Sequence, residues 1–397
     1  MVALAHNQPP PVLDAPAGIR PSSTYLRELE SLRGLAVLLV YAYHLDLAVM
    51  ARLFVPSGSD ISLAASYVRG GYTGVSLFFV ISGFLLGGQF LSEIEGGHAV
   101  SRRAYAARRA LRILPLYYAA VVAAALIAAR QPADLLHGLP YLVFLNAWQR
   151  FALPLEPFSA VWWSLATEVQ FYLLLPAIAW SLRKRQRRLG AVVLLAYGVA
   201  YAAFLAGLAR PSQLRSQVFL SHSLFGMAPL FLFGALAAWL HRHAGARLAG
   251  ITWLRRGPAD LALIAALCGL GIILRWSLTI GVLRDSPPFA AWHLPEGLIW
   301  MSVLLMLLIA PLRLKPLLSN RVLAGLGVIS YSIYMVHVPL IATAFIILRG
   351  TQPVLVGWSV RTGALAVALS ALCLAVSWAS YRLIERPFLT RKARVDR

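Results

Sequence analysis

Cysteine is nearly missing from this sequence: there are two in 397 residues, Cys268 and Cys373. Both lie inside apolar runs with no CxxC or metal-ligand spacing. That excludes a disulfide framework, a thiol redox centre and a thiolate metal cluster, and no metal site is expected. Acidic charge is also scarce, with 15 Asp and Glu against 36 Lys and Arg. Charged residues of all kinds make up 13% of the chain, where an ordinary soluble protein carries about a quarter. A Gly-rich phosphate loop and a GxGxxG turn are both missing, so a nucleotide-binding α/β fold is not indicated. No appended soluble domain and no internal repeat is visible. Residues 1–25 are polar and Pro-rich and lack the basic-then-apolar order of a secretory leader. They are expected to form a disordered cytoplasmic tail.

What the sequence does have is hydrocarbon. Hydrophobic residues are 59% of the chain and mean hydropathy is +0.71, the signature of an integral membrane protein. Apolar runs long enough to span fall near 33–54, 72–91, 113–129, 160–181, 189–209, 217–240, 258–283, 292–312, 322–348 and 361–383. A further apolar stretch at 138–148 is too short to cross. The fold expected is an all-α polytopic transmembrane bundle of about ten spans. The membrane domain covers 26–388, and a basic cytoplasmic tail occupies 389–397.

A net charge of +21 raises the question of nucleic acid, but the basic residues come in bursts between oily segments. If ten spans alternate, 26 of the 36 Lys and Arg fall on the side of the termini. Positive charge marks the cytoplasmic face, so both termini are expected inside the cell and no nucleic-acid partner is expected.

Within the oily runs a few polar groups stand out. Arg33 and His44 are eleven residues apart, three helical turns plus about 20°, so they share a face with a rise of roughly 16 Å. Asp46 lies about 200° round from His44, on another face. His44 falls at mid-span, Ser82 about 15 Å and Glu168 about 12 Å from the outer ends of their helices, and His337 near the middle of its own. Four helices thus place a polar group at one level. Ser164, Glu168 and Tyr172 form a stripe at i, i+4, i+8, and Ser330, Tyr334 and His337 form another at i, i+4, i+7. For the serines and tyrosines, interhelical hydrogen bonding is the simpler account. For His44 and Glu168 the expense of an ionisable group in a span favours function. His337 stays open between structure and catalysis. In SRRAYAARRALRILP, Arg108, Arg109 and Arg112 either anchor the topology or clamp phosphates with their planar forks.

Five motifs in order resemble the acyltransferase 3 family of integral-membrane O-acyltransferases, from about Tyr25 to Phe388. LESLRGLAVLLVYAYH carries the family's arginine, ten residues, histidine signature at Arg33 and His44. GVSLFFVISGFLL carries Phe78, Phe79, Ser82 and Gly83, and RALRILP carries Arg109, Arg112 and Pro115. WSLATEVQFY carries Trp163, Ser164, Glu168, Phe171 and Tyr172. ISYSIYMVHVPL with YRLIERPF closes the set through Tyr334, His337, Glu385, Arg386 and Pro387. Val169 stands where relatives often have a second acid, and Ser31 where a glycine is common.

The resemblance implies transfer of an acyl group, usually acetyl, from acyl-CoA to a hydroxyl of an envelope carbohydrate or glycolipid, in the plasma membrane. Acetyl-CoA is then a co-substrate, and no cofactor is permanently bound. His44 is the expected general base and Glu168 its companion, orienting an imidazole or binding the sugar. Arg33, Arg108, Arg109 and Arg112 are expected on the CoA. Ser82, Ser164, Tyr172, Tyr334 and His337 are expected as substrate contacts or support. Some relatives carry an extracytoplasmic SGNH domain after the membrane domain. Here transfer is expected to finish in the membrane domain or with a separate extracytoplasmic partner. Acylation of a small natural product such as a macrolide is an alternative. From another class comes a proton-coupled transporter, which also uses intramembrane His and Glu. A membrane scaffold is a third, and it leaves the level polar groups without a purpose. Outer-end candidates for the acceptor are His222, Arg275, His293, Glu296 and Trp162.

Overall fold

The computed structural model describes residues 23–50, 61–147, 155, 158–183, 187–208, 220, 222–251, 257–279, 288–349 and 360–395. Helices account for nearly all of them, and no strand occurs among the described residues. The chain enters through α1 (Ser23–Met50) and a short α2 (Leu63–Arg69). Next come α3 (Thr73–Ser82), a π-helical stretch (Gly83–Gly87) and α4 (Gly88–Ile94), stacked end to end. After α5 (Arg102–Ala128), a 3-10 turn and α6 (Leu139–Leu142) lead to α7 (Trp163–Ser181) and α8 (Arg187–Leu208). The second half holds α9 (Leu224–Ala249), α10 (Pro258–Thr279), α11 (Pro288–Ile309), α12 (Lys315–Leu318) and α13 (Arg321–Val328). The chain closes with α14 (Ser330–Arg349), α15 (Val360–Ser380), a π-helical turn (Tyr381–Glu385) and α16 (Arg386–Val395).

Among the described residues nine helical segments are long and apolar enough to cross a membrane. The tenth expected span, α7, is 19 residues long but is not one of them, because Thr167, Glu168 and Gln170 dilute its hydropathy. The protein is a multi-pass membrane helix bundle. Its outer surface is oily, with Leu173 and Val322 each 74% exposed, as a lipid-facing wall requires.

Three segments differ from the hydropathy reading. The run at 113–129 belongs to one 27-residue helix that begins at Arg102, where Ser101 Oγ accepts from Ala104 N at 3.3 Å and caps it. The run at 322–348 is two helices, because the backbone leaves helical geometry at Ile329. Asn320 caps the first of them, its Oδ1 accepting from Leu323 N at 2.9 Å. Hydropathy averages over such a one-residue break. The basic tail from 389 is helical through Val395, while 1–22 lie outside the described residues. The short stretch at 138–148 stays short, as α6 and two 3-10 turns.

Two close helix crossings set the frame. A Cβ on Gly34 would run into the Leu323 carbonyl, and one on Gly327 into that of Glu30, so α1 and α13 touch backbone to backbone. Gly83 and Gly234 interlock α3 and α9 in the same way, against the carbonyls of Phe231 and Val80. Small residues permit this approach, which in lipid is where dispersion and polar contacts hold helices together. Basic residues at two helix starts and in a connecting loop meet acids. Glu93 accepts from both Arg102 and Arg183, while Lys315 Nζ lies 2.7 Å from Glu28.

Candidate functional site

Two adjoining cavities lie among these helices, and Val75 and Tyr334 belong to the walls of both. The larger is walled by residues of α1, α3, α5, α7 and α14. Among the described residues, Arg33 of α1, Arg109 and Arg112 of α5, and Glu168 of α7 are its Arg, Lys, Asp and Glu wall groups, three cations against one carboxylate. Glu168 Oε1 accepts from the hydroxyls of Ser82 and Tyr172, the latter at 2.5 Å. Arg109 sits over the Tyr172 ring, 5.8 Å from its centroid. Ser82 ends α3 and leads into the π-helical stretch, so the Gly83–Gly234 crossing also fixes where this hydroxyl stands. Such π segments re-aim side chains and recur at functional sites.

Tyr334 anchors the partition. Its hydroxyl donates to Val161 O at 2.9 Å and lies 2.6 Å from Ser164 Oγ, so α14 is tied to the start of α7. The smaller cavity is walled by His44, Tyr72, Ser76, Trp163 and His293 among others.

His44 and His337 form a pair. His337 is fully buried, and its Nδ1 lies 3.0 Å from Ile333 O and 2.9 Å from Tyr334 O. A ring nitrogen between two carbonyls must carry a proton, so in the neutral ring the lone pair falls on Nε2. That Nε2 is 3.4 Å from Nδ1 of His44, which also lies 2.8 Å from Val40 O. His44 Nδ1 therefore holds the proton in its turn. The lone pair of neutral His44 is placed on Nε2.

Residues 26–382 match the model of the family described as an acyltransferase domain, Acyl_transf_3. The chain belongs to the acyltransferase 3 family. It is 25% identical over 390 residues to the peptidoglycan O-acetyltransferase OatA of Listeria monocytogenes, covering 93% of this chain and 56% of that one. It is likewise 25% identical to the putative peptidoglycan O-acetyltransferase YrhL of Bacillus subtilis, covering 92% and 55%. The putative membrane-bound transacylase BcsY of Komagataeibacter xylinus is 28% identical, over 91% of this chain and 82% of its own length. The chain thus spans a little over half the length of OatA and YrhL. No solved structure matches.

For a member of the acyltransferase 3 family, most of the expected residues converge. Arg33, Arg109, Arg112, Ser82, Ser164, Glu168, Tyr172 and Tyr334 line one cavity, while His44 lines the next and His337 contacts it. The four groups expected at one level resolve into two pairs, Ser82 with Glu168 and His44 with His337. Glu168 takes its hydrogen bonds from hydroxyls, and the ring beside His44 is another imidazole. Arg108 is not in the wall of either cavity. On an ideal helix it points about 70° away from the mean direction of Arg109 and Arg112.

The sequence reading missed Gln89, which lines the larger cavity 6% exposed, with neither amide atom hydrogen-bonded among the described residues. It also missed Ser76, whose hydroxyl donates to Glu296 Oε2 at 2.8 Å across α3 and α11. Gln89 had a signal, an amide inside an apolar run. Ser76 had none, because a lone serine in a span is ordinary. Among the described residues no group of His, Cys, Asp and Glu is arranged to hold a metal ion.

Proposed function

We propose that this protein moves an acyl group, acetyl in the first instance, from acyl-CoA to a hydroxyl of an envelope carbohydrate or glycolipid. The peptidoglycan named for two relatives makes peptidoglycan the first acceptor to test. The basic end of the bundle faces the cytoplasm of a plasma-membrane protein, with both termini inside, and the donor enters there. Acyl-CoA is a co-substrate that comes and goes, and Arg33, Arg109 and Arg112 meet its phosphates with planar guanidinium forks. Glu168 keeps the arginines apart and oriented while Ser82 and Tyr172 hold its carboxylate.

His44 Nε2 takes the proton of the acceptor hydroxyl, and the oxygen attacks the thioester carbonyl. The carbon–sulfur bond then breaks, and the departing thiolate of CoA recovers the proton from His44. Neutral imidazole suits both halves of that exchange near pH 7. As His44 becomes a cation, the lone pair on His337 Nε2 faces its Nδ1–H and stabilises it. Handing the acyl group to a separate extracytoplasmic transferase belongs to the same proposal.

The observation that carries the reading is the His44–His337 pair beside a cavity walled by three arginines. The test is thiol release from acetyl-CoA by protein in lipid nanodiscs, together with mass spectrometry of envelope glycans for one added acyl unit. His44→Gln should lower transfer by about 10²–10⁴, the usual worth of a general base. Undiminished transfer by correctly folded His44→Gln would overturn it.

A further inference from the structure

We propose that Gln89 recognises the adenine ring of the CoA donor, pairing its carboxamide with the amino group and the ring nitrogen on one edge of the base. This rests on the acyl-transfer reading above and adds which part of the donor, beyond its phosphates, the protein reads.

Gln89 of α4 lines the cavity that Arg33, Arg109 and Arg112 line, and it is 6% exposed. Its Oε1 and Nε2 are both buried, and neither has a hydrogen-bond partner among the described residues. A buried donor and a buried acceptor left unpaired are each destabilising, so a bundle that keeps both on one side chain is shaped for a ligand. Polar neighbours in the wall are already committed. The hydroxyls of Ser82 and Tyr172 donate to Glu168, that of Tyr331 to Ile113 O, and that of Tyr334 to Val161 O. The arginines answer phosphate charge, which leaves Gln89 for an uncharged part of the donor.

Edge chemistry and depth choose that part. A primary carboxamide presents its C=O and an N–H side by side on one edge. The secondary amides of the pantetheine arm are trans, with C=O and N–H on opposite edges, so each satisfies only half of Gln89. A phosphate offers acceptors alone. Adenine offers an N6–H donor beside the N7 acceptor, the pair that a glutamine side chain meets with two hydrogen bonds. Along α4, Glu93 lies one turn beyond Gln89 and accepts from Arg102 and Arg183. Ser82 lies seven residues the other way, about 10 Å deeper. The α1 helix runs antiparallel to α3, since a Cβ on Gly71 would meet the Leu39 carbonyl and one on Gly74 that of Ala36. His44 therefore lies roughly 16 Å beyond Arg33, on the side away from Gln89. With the thioester at His44 and the phosphates on the arginines, the arm fills the inner reach and the nucleoside is left at the Gln89 end.

The experiment measures equilibrium binding of three probes to full-length protein in nanodiscs. They are CoA, its hypoxanthine analogue, in which an oxygen replaces the amino group of the base, and phosphopantetheine, which lacks the nucleoside. Wild type should bind CoA about fivefold to a hundredfold tighter than the hypoxanthine analogue, the range of one bidentate pairing to a base. Gln89→Leu should weaken CoA by a similar factor and reduce the preference for adenine to within about twofold, while phosphopantetheine affinity stays within about twofold of wild type. Because leucine removes two unpaired polar atoms, the variant should melt at or above the wild-type temperature, which also reports that it is folded. The unbranched Gln89→Met carries the same test if leucine does not fit. Unchanged CoA affinity in the folded variant overturns the proposal, and so does a wild type indifferent to the change of base. An equal loss of phosphopantetheine affinity overturns it too, since that puts the carboxamide on the arm. Wild-type protein that binds no CoA defeats instead the donor reading on which the proposal stands.

Discussion

Replacing His337 separates its two nitrogens, because asparagine and glutamine each mimic one of them. In His337→Asn the side-chain amide N–H can still reach the carbonyls of Ile333 and Tyr334, now 3.0 and 2.9 Å from Nδ1. Nothing then occupies the place of Nε2. In His337→Gln an amide oxygen reaches that place and restores an acceptor for His44 Nδ1–H. A hydrogen bond to a charged group contributes about 1.5–3 kcal/mol. The 3.4 Å separation is longer than the usual 2.7–3.2 Å, which puts this contact at the lower end, about 1.5 kcal/mol. The expected result is a kcat about tenfold lower in His337→Asn, with KM for acetyl-CoA unchanged, and partial recovery in His337→Gln. Thiol release at saturating donor measures it. In a His44→Gln background the same substitution should do nothing more, since His337 acts only through His44. Wild-type kcat in His337→Asn refutes the reasoning. So does a double variant whose losses simply multiply.

Two further expectations concern the donor cavity and the frame around it. Arg112→Ala, and Arg33→Ala separately, should raise KM for acetyl-CoA about tenfold or more. Those KM values should climb more gently with added salt than the wild-type value does, because one phosphate contact fewer remains to be screened; titrating salt in the thiol assay checks both. Gly83→Ala should destabilise the bundle by about 1–3 kcal/mol through overpacking against the Phe231 carbonyl. It should also shift Ser82 off Glu168, lowering activity in protein that remains folded; thermal unfolding in detergent and the transfer assay read the two effects.

Hydropathy and charge were enough to read a membrane bundle, because burial in lipid is a property of composition over some 20 residues at a time. That Ser82 and Glu168 lie at matching depths, and His44 and His337 likewise, was legible too, since depth along a helix follows from counting at 1.5 Å per residue. Partnership was not. Which helix lies beside which depends on crossings such as Gly34 with Leu323 and Gly83 with Phe231, where what matters is an atom's absence on two surfaces far apart in the chain. Only after those crossings does His337 find His44 rather than Glu168, and only then does Ser76 meet Glu296, 220 residues away. The break at Ile329 was hidden for the same reason: a helix that turns at a single residue leaves its hydrophobic content unchanged. Residue types along the chain determine what each helix brings to the membrane interior. The packing of helices against one another decides which of those groups can exchange a proton, because that depends on distances of a few ångströms between segments the chain itself leaves far apart.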